Sequence, residues 1–398
     1  MKMLKGDLVM ELREQLTFYR GILLEKLGRV QEKKDLVEVM LILAMGMLAG
    51  LYNPHQVARQ LAINPQEFYE KLKIMSVYQI RKLLDNLMMD VAIIRLKQYQ
   101  ELSPASRSRR EASITVDDSL VKRLGKALSY VWSWYSGQIH QTTKGQDLLG
   151  IVLKIGKEIL PLKLSLVSKQ GNQNTEKPDL LIKEITALKA AFLQAGIDIT
   201  SLGISFDSWW LSEDLSEKLS ELGFHKQVIC AKSNTQLKIG KVKKSITEHF
   251  FDGELKPGWG HTTPARRLKG INPKLGKVVV VLFNVPRSKA FAIVVPDAPL
   301  RTCEALRIWL NHPAVETFWK RLKQWLGHGK MQLQNSSGAW VELCLRVLAY
   351  FLAMRLFDNE VRTLNQLYHF LRRQKTFREL ISEHFQPLFP ITYTFSHS

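Results

Sequence analysis

From Ser113 to Lys232, short apolar runs alternate with amphipathic helical stretches, and that alternation restricts the segment to an α/β fold. SITVDD (Ser113–Asp118) reads as a short strand ending in carboxylates. DLLGIVLKI and ILPLKLSLV, separated by Gly156 and Lys157, read as a hairpin. A helix follows from about Pro178 to Gln194, with Leu181, Ile185, Leu188 and Phe192 on one face. SLGISFD is the next strand, with Asp207 at its end, then come a helix from about Glu213 to Leu222 and the strand HKQVICAK.

The flanking regions follow other patterns. Residues 1–102 read as a helical domain, expected to bind DNA, with Leu36, Val39, Met40, Leu43, Met47 and Leu48 at three- and four-residue intervals. Asn53-Pro54 and Asn64-Pro65 each offer an N-cap followed by proline at the first helical position, and Glu67 occupies the capping-box position after Asn64. The two helices they start, at about 54–61 and 65–75, have the order of a helix-turn-helix. The second carries few groove-reading side chains, which favours an ordinary helical hairpin. Residues 103–112 form a polar, basic, proline-containing linker in which Arg107, Arg109 and Arg110 are available to phosphates. Residues 113–233 are the first part of the α/β domain and 234–299 a basic, β-rich insertion. Residues 300–358 return to helices, one of them starting at Pro313, and 359–398 form a helical tail.

Charge narrows the function. The 398 residues carry 57 Lys and Arg against 37 Asp and Glu, a formal net charge of +20. Such an excess repels itself unless a polyanion makes use of it, and nucleic acid does so by releasing counterions. The three cysteines lie far apart without a CxxC pair, which excludes a disulfide framework and a zinc module. No HxxxH pair and no Walker-type loop occur, so neither zinc nor ATP is implied. His312 and His328 read as polar positions near DNA or solvent. The N-terminus meets Asp7 and Glu11 before any apolar h-region, and the most apolar run, Val39–Tyr52, is shorter than the roughly 20 residues a bilayer requires. Both observations point to a cytoplasmic protein with no membrane partner.

Three acidic positions stand out. Asp118, with Asp117 beside it, ends the first strand; Asp207 ends a later one; Glu316 lies in the first turn of the Pro313 helix. Residues at strand ends and adjoining helix termini converge on one crevice of an open α/β sheet. Two Asp and one Glu there make an all-oxygen site suited to Mg²⁺. Two such ions about 3.5–4 Å apart serve phosphodiester cleavage by assisting the attacking and leaving oxygens. Each position also has a bland reading, as an Asx turn or a helix cap.

ITVDDSL, GISFDSWW and IVVPDAPLRTCEALRIWLNHPAVETFWKRLKQWLG together resemble the three catalytic blocks of DDE-type insertion-sequence transposases, in the branch with a β-rich insertion before the Glu. The resemblance runs from about Ser113 to Phe357. It implies an RNase H-like mixed sheet with Asp118, Asp207 and Glu316 as catalytic and metal-binding residues, Asp118 being preferred to Asp117 because it directly precedes Ser119. It implies two Mg²⁺ ions, for which Mn²⁺ can substitute, double-stranded DNA as partner, and a homodimer that brings two element ends together. The branch signature is Tyr, two residues, Arg, three residues, Glu, six residues, Lys. Lys323 stands at the right distance from Glu316, while His312 and Trp309 replace the Arg and Tyr. Lys320, Lys323 and His312 are then expected at DNA, with Glu316, Lys320 and Lys323 on one helical face. In the insertion Lys243, Lys244, Arg266 and Arg267 are expected in basic loops, and Trp259 is expected to stack on an unpaired base. Trp209 and Trp210 read as packing residues. Two rival readings remain: a silent DNA-binding regulator, and a nuclease that cuts without joining.

Overall fold

The computed structural model describes residues 5–28, 30–109, 111–123, 128–136, 140–169, 176–258, 261–284, 292–296, 300–331, 333, 335–358, 369, 371 and 374–385. The chain divides into two units: residues 1–89, 120–147 and 319–398, and residues 90–119 and 148–318.

The first unit is mainly helical. Its chain order is α1 (Lys5–Leu27), α2 (Gln31–Leu48), α3 (Pro54–Leu61), α4 (Pro65–Leu72) and the first half of α5 (Val77–Gln100). The two asparagine caps form as the sequence predicts. Asn53 accepts from the Gln56 amide at 2.9 Å, and Asn64 accepts from the Gln66 amide at 3.0 Å. The expected partner at Glu67 is not used in the second cap. After α6 (Pro104–Arg109), a helix where a linker is expected, and the strands of the second unit, the first unit resumes. Its last pieces are α12 (Asn335–Asp358) and α13 (Gln374–Phe385). Helix α12 is long and apolar enough to cross a membrane, but 94% of that window is buried, as in the core helix of a folded domain. It packs along α2, and Phe351 stacks on Tyr19 of α1 with ring centroids 5.8 Å apart.

A buried ionic cluster crosses this unit. Arg123 pairs with Glu342, and also donates to Gln146 Oε1 at 3.0 Å and to the Met331 carbonyl at 2.7 Å. Arg346 is fully buried and donates to the Tyr52 carbonyl at 2.9 Å. Glu342 accepts from the Gly329 amide at 3.0 Å. His328 is buried among these groups, and burial pushes its imidazole down to about 3, so it is neutral. It is therefore an interior residue and not the solvent- or DNA-facing position that the sequence suggests.

The second unit is built on a mixed sheet. The hairpin of β3 (Gln141–Ile155) and β4 (Glu158–Leu166) forms around Gly156, whose φ of 56° needs a residue without a Cβ penalty. From β3 the strand order runs β1 (Ala112–Lys122), β5 (Gly203–Phe206), β6 (Gln227–Cys230), β12 (Ala292–Pro296), β11 (Gly276–Phe283), β10 (His261–Asn272), β7 (Gln236–Ile239), β8 (Val242–Ser245). β1, β5 and β6 are parallel, linked by α7 (Lys177–Gln194) and α8 (Glu213–Glu221). β12 joins β6 antiparallel, so the insertion extends this sheet. Its remaining elements are α9 (Ile246–Phe251) and β9 (Lys256–Gly258), which pairs with β10. β2 (Trp132–Ser136), unanticipated from sequence, pairs with Gln141–Gly145 of β3, all within the first unit.

This is the RNase H-like mixed sheet with a β-rich insertion and terminal helices that the sequence predicts. Helix α10 (Thr302–Asn311) covers the β6, β12 and β11 face, where Leu306, Ile308 and Trp309 meet Val228, Val281, Phe283 and Ile293. Gly203 lets α10 approach closely, since a Cβ there would overlap Ile308.

Candidate active site

The carboxyl ends of β1 and β5 define the site. The two strands are paired in parallel up to Val116 opposite Phe206, so the next residues along them are Asp117 and Asp207. Strand β6 pairs Ile229 with Phe206, which brings Cys230 up beside Asp207. β1 does not end at the carboxylates as expected but continues to Lys122. Successive side chains on a strand face opposite ways, so Asp117 and Asp118 project to different sides.

Glu316 arrives from the helical end of the unit. α10 rests on β5 and β6, and its C-cap residue His312 lies within 3.1 Å of Ser205 Oγ through Nδ1, with its ring stacked on Trp309 at 4.6 Å. This anchors the junction with α11 (Pro313–Lys320) at β5 and carries Glu316, one turn on, toward Asp207. His312 is only 4% exposed, and burial pushes it down to about 4 against the pull of Asp207, so it is neutral. It positions the helix from inside; the expected contact with DNA is corrected by this burial.

The electrostatics tie four carboxylates together. Burial raises Asp117 well above the usual carboxylate range, and the charges of Asp118, Asp207 and Glu316 raise it further. Burial also raises Glu316, with Asp207 adding to the effect. Cys230 is pushed up to about 12 by burial, then by Asp207 and Glu316, so its thiol is neutral and unreactive. Asp118 has other partners. Its Oδ2 lies 2.5 Å from Lys177 Nζ, and its Oδ1 accepts from Trp209 Nε1 at 2.9 Å. Asp207 Oδ1 accepts from the Ser208 amide at 2.6 Å, opening a single 3₁₀ turn, Ser208–Trp210. In that turn Trp210 is 1% exposed, while Trp209 is 40% exposed and packs on Trp210 with ring centroids 4.1 Å apart.

Carboxylate oxygens are the donor type that a hard divalent cation takes. Among the described residues no group of three His, Cys, Asp or Glu is closed around one point.

The other expected DNA-facing residues fall in several places. Lys320 is exposed, one turn beyond Glu316 on α11. The helix then changes to π winding over Arg321–Trp325, so the α-helical face shared by Glu316 and Lys320 does not extend to Lys323. Lys323 Nζ donates to the Leu120 carbonyl at 2.9 Å. Lys243 and Lys244 lie on β8, and Arg266 and Arg267 on β10, strands where loops are expected. Lys243 is exposed and Lys244 pairs with Asp252 at 2.8 Å. Arg266 lies over Gly253, and Arg267 donates to the Leu300 carbonyl at 2.5 Å. Trp259 lies outside the described residues.

Residues 160–352 match the family model of the transposase DDE domain. The match includes Asp207 and Glu316, while the β1 carboxylates precede it. No curated protein matches the chain.

Proposed function

We propose that the chain is a transposase that cleaves DNA at the ends of a mobile element and joins the freed ends to target DNA. The transposase DDE domain supports this in general terms. The observation that supports the chemistry is the parallel register that sets Asp117 and Asp207 side by side at the carboxyl ends of β1 and β5, with Glu316 in the first turn of α11 following them. Asp207 and Glu316 keep the roles that the resemblance implies, as metal-binding catalytic residues. For the first ligand we propose Asp117 in place of Asp118. Asp117 follows the residue pair directly preceding Asp207 and is raised by both Asp207 and Glu316, whereas Asp118 is engaged by Lys177 and Trp209.

Mg²⁺, or Mn²⁺ in its place, would supply Lewis acidity to the attacking and leaving oxygens of the phosphodiester. The protein's own part is positional. Asp117 and Asp207 hold the cation from adjoining strands, and Glu316 holds it from a helix anchored through His312 and Ser205. Exposed Lys320 and the cations of β8 and β10 fit contact with phosphates, which position DNA without reading its sequence. The helices up to about residue 102 are assigned to end binding, and two chains to pairing the ends.

The test is incubation of the gene's native flanking DNA with Mg²⁺ or Mn²⁺, wild type beside Asp207→Ala. Metal-dependent nicks and joined products from the wild type alone support the proposal. Nicks without joining favour a nuclease. Binding by both proteins with no product from either favours a silent regulator.

A further inference from the structure

A cleft lies at the opposite end of the parallel strands from the carboxylates. It opens beside Ser201 and Leu202, which lead into β5, and beside Glu111, which leads into β1. Asp207 follows Leu202 by five residues along the strand, a separation of roughly 17 Å. A phosphate held in the cleft is therefore not one that the carboxylates could cleave. All of the lining belongs to the second unit. The volume is about 420 Å³, which suits a small organic group better than a bare ion.

Three arginines line this space, Arg107 from α6 and Arg301 and Arg307 from the start of α10. Helix α6 is held against α5 by Tyr99, whose hydroxyl donates to the Arg107 carbonyl at 3.4 Å. The two acids of the cleft already face cations. Glu304 pairs with Lys226 at 2.8 Å, and Arg307 Nε lies 4.0 Å from Glu111. Arg107 and Arg301 remain, and among the described residues neither guanidinium has an acidic partner. Two planar guanidinium forks facing one concave space match the oxygens of a phosphate group, which each fork can hold bidentately. Tyr99, Pro104 and Leu202 supply an uncharged wall for the organic part of an ester.

We propose that this cleft binds a phosphate ester through Arg107 and Arg301, apart from the DNA-cleaving site. Two sources present that chemistry: the backbone of a DNA strand crossing this face, and a free nucleotide. The basic segment that reads as a linker thereby gains a binding role. The inference goes beyond the catalytic reading and does not depend on it.

The test is protection of arginines from phenylglyoxal in the full chain, in EDTA to prevent cleavage, mapped by peptide mass spectrometry. One probe is thymidine 3′,5′-bisphosphate and the other a short blunt duplex of arbitrary sequence. Arg107 and Arg301 should lose reactivity together, with one saturable dependence on probe concentration. Arg301→Ala should raise the concentration that protects Arg107 by about tenfold, and Arg107→Ala should do the same at Arg301, the loss expected for one charge-assisted contact. Both variants should melt near the wild-type temperature, as surface substitutions do. Protection by the bisphosphate supports a site open to free nucleotides, and protection by the duplex alone supports one for DNA backbone. No protection by either probe, or protection of one arginine that is unaltered by loss of the other, would overturn the proposal. Asp207→Ala should keep the protection while losing cleavage, so the cleft and the catalytic reading fail separately.

Discussion

Replacing Asp117 by Asn should make the metal-free protein more stable. The Asp117 carboxylate is half-buried and faces the charges of Asp118, Asp207 and Glu316, so desolvation and repulsion both act against its ionised form. A raised folded pKa means that the protonated state suits the fold. Its stabilisation is fully present at low pH and is lost as pH rises through the folded value. Near neutral pH, Asn removes the charge at nearly constant volume. Relief of such functional-site strain is typically about 0.5–2 kcal/mol, a rise of roughly 1–6 °C in melting temperature. Magnesium should reverse the order. At about a hundred times its dissociation constant a ligand stabilises its site by about 2.7 kcal/mol, and Asp117→Asn should lose most of that gain. Asp118→Asn should behave differently, because it removes the Lys177 ion pair while its Oδ1 can still accept from Trp209. It should melt slightly below wild type in chelator and keep the magnesium shift. Differential scanning fluorimetry in EDTA and in Mg²⁺ measures all of this. If Asp117→Asn melts below wild type in EDTA, or shows the full magnesium shift, the assignment of Asp117 is wrong.

Other consequences follow from the same contacts. Asp117 and Glu316 are both raised, so protons compete with metal as pH falls from neutral. Cleavage at subsaturating Mg²⁺ should decline with falling pH, and extra Mg²⁺ should restore it; a decline that added metal does not relieve would point to another titrating group. Glu342→Gln would leave Arg123 and Arg346 buried beside a neutral side chain, at a cost of about 3–5 kcal/mol, readable as a shifted urea midpoint. Gly203→Ala would force a methyl against Ile308 beneath the site, costing about 1–3 kcal/mol, and it should lower the melting temperature without changing metal preference.

Much of this architecture is legible in the residues, because local rules and tertiary structure agree there. Asn53 and Asn64 cap the helices they precede, the β3–β4 turn falls at Gly156, and α7 follows its apolar face. The carboxylate pair is harder to resolve. A strand has a side-chain period of two, so Asp117 and Asp118 are equivalent by composition and opposite in placement. Only the register with β5 distinguishes them. β10 is hidden because Arg266, Arg267 and Lys269 give a long strand the composition of a basic loop, while its pairing with β11 is nonlocal. The same holds for Lys323, since a change from α to π winding leaves no periodic signal in a few residues. His312 and His328 read as surface groups by type, yet one is held by Ser205 and the other is buried beside Glu342. Trp209 is the converse, an aromatic residue that packing rules place inside and the Asp118 hydrogen bond keeps at the surface.

Direct ligation of the catalytic metal is tested most plainly by Asp207→Cys. A thiolate ligand is poorly matched to Mg²⁺ and better tolerated by Mn²⁺. The measurement is cleavage of the native flanking DNA by this variant in each metal, with folding checked by melting temperature. The account predicts no cleavage in Mg²⁺ and recovered cleavage in Mn²⁺. Full activity in Mg²⁺, or equal inactivity in both metals from a folded protein, would contradict the assignment of Asp207 as a metal ligand.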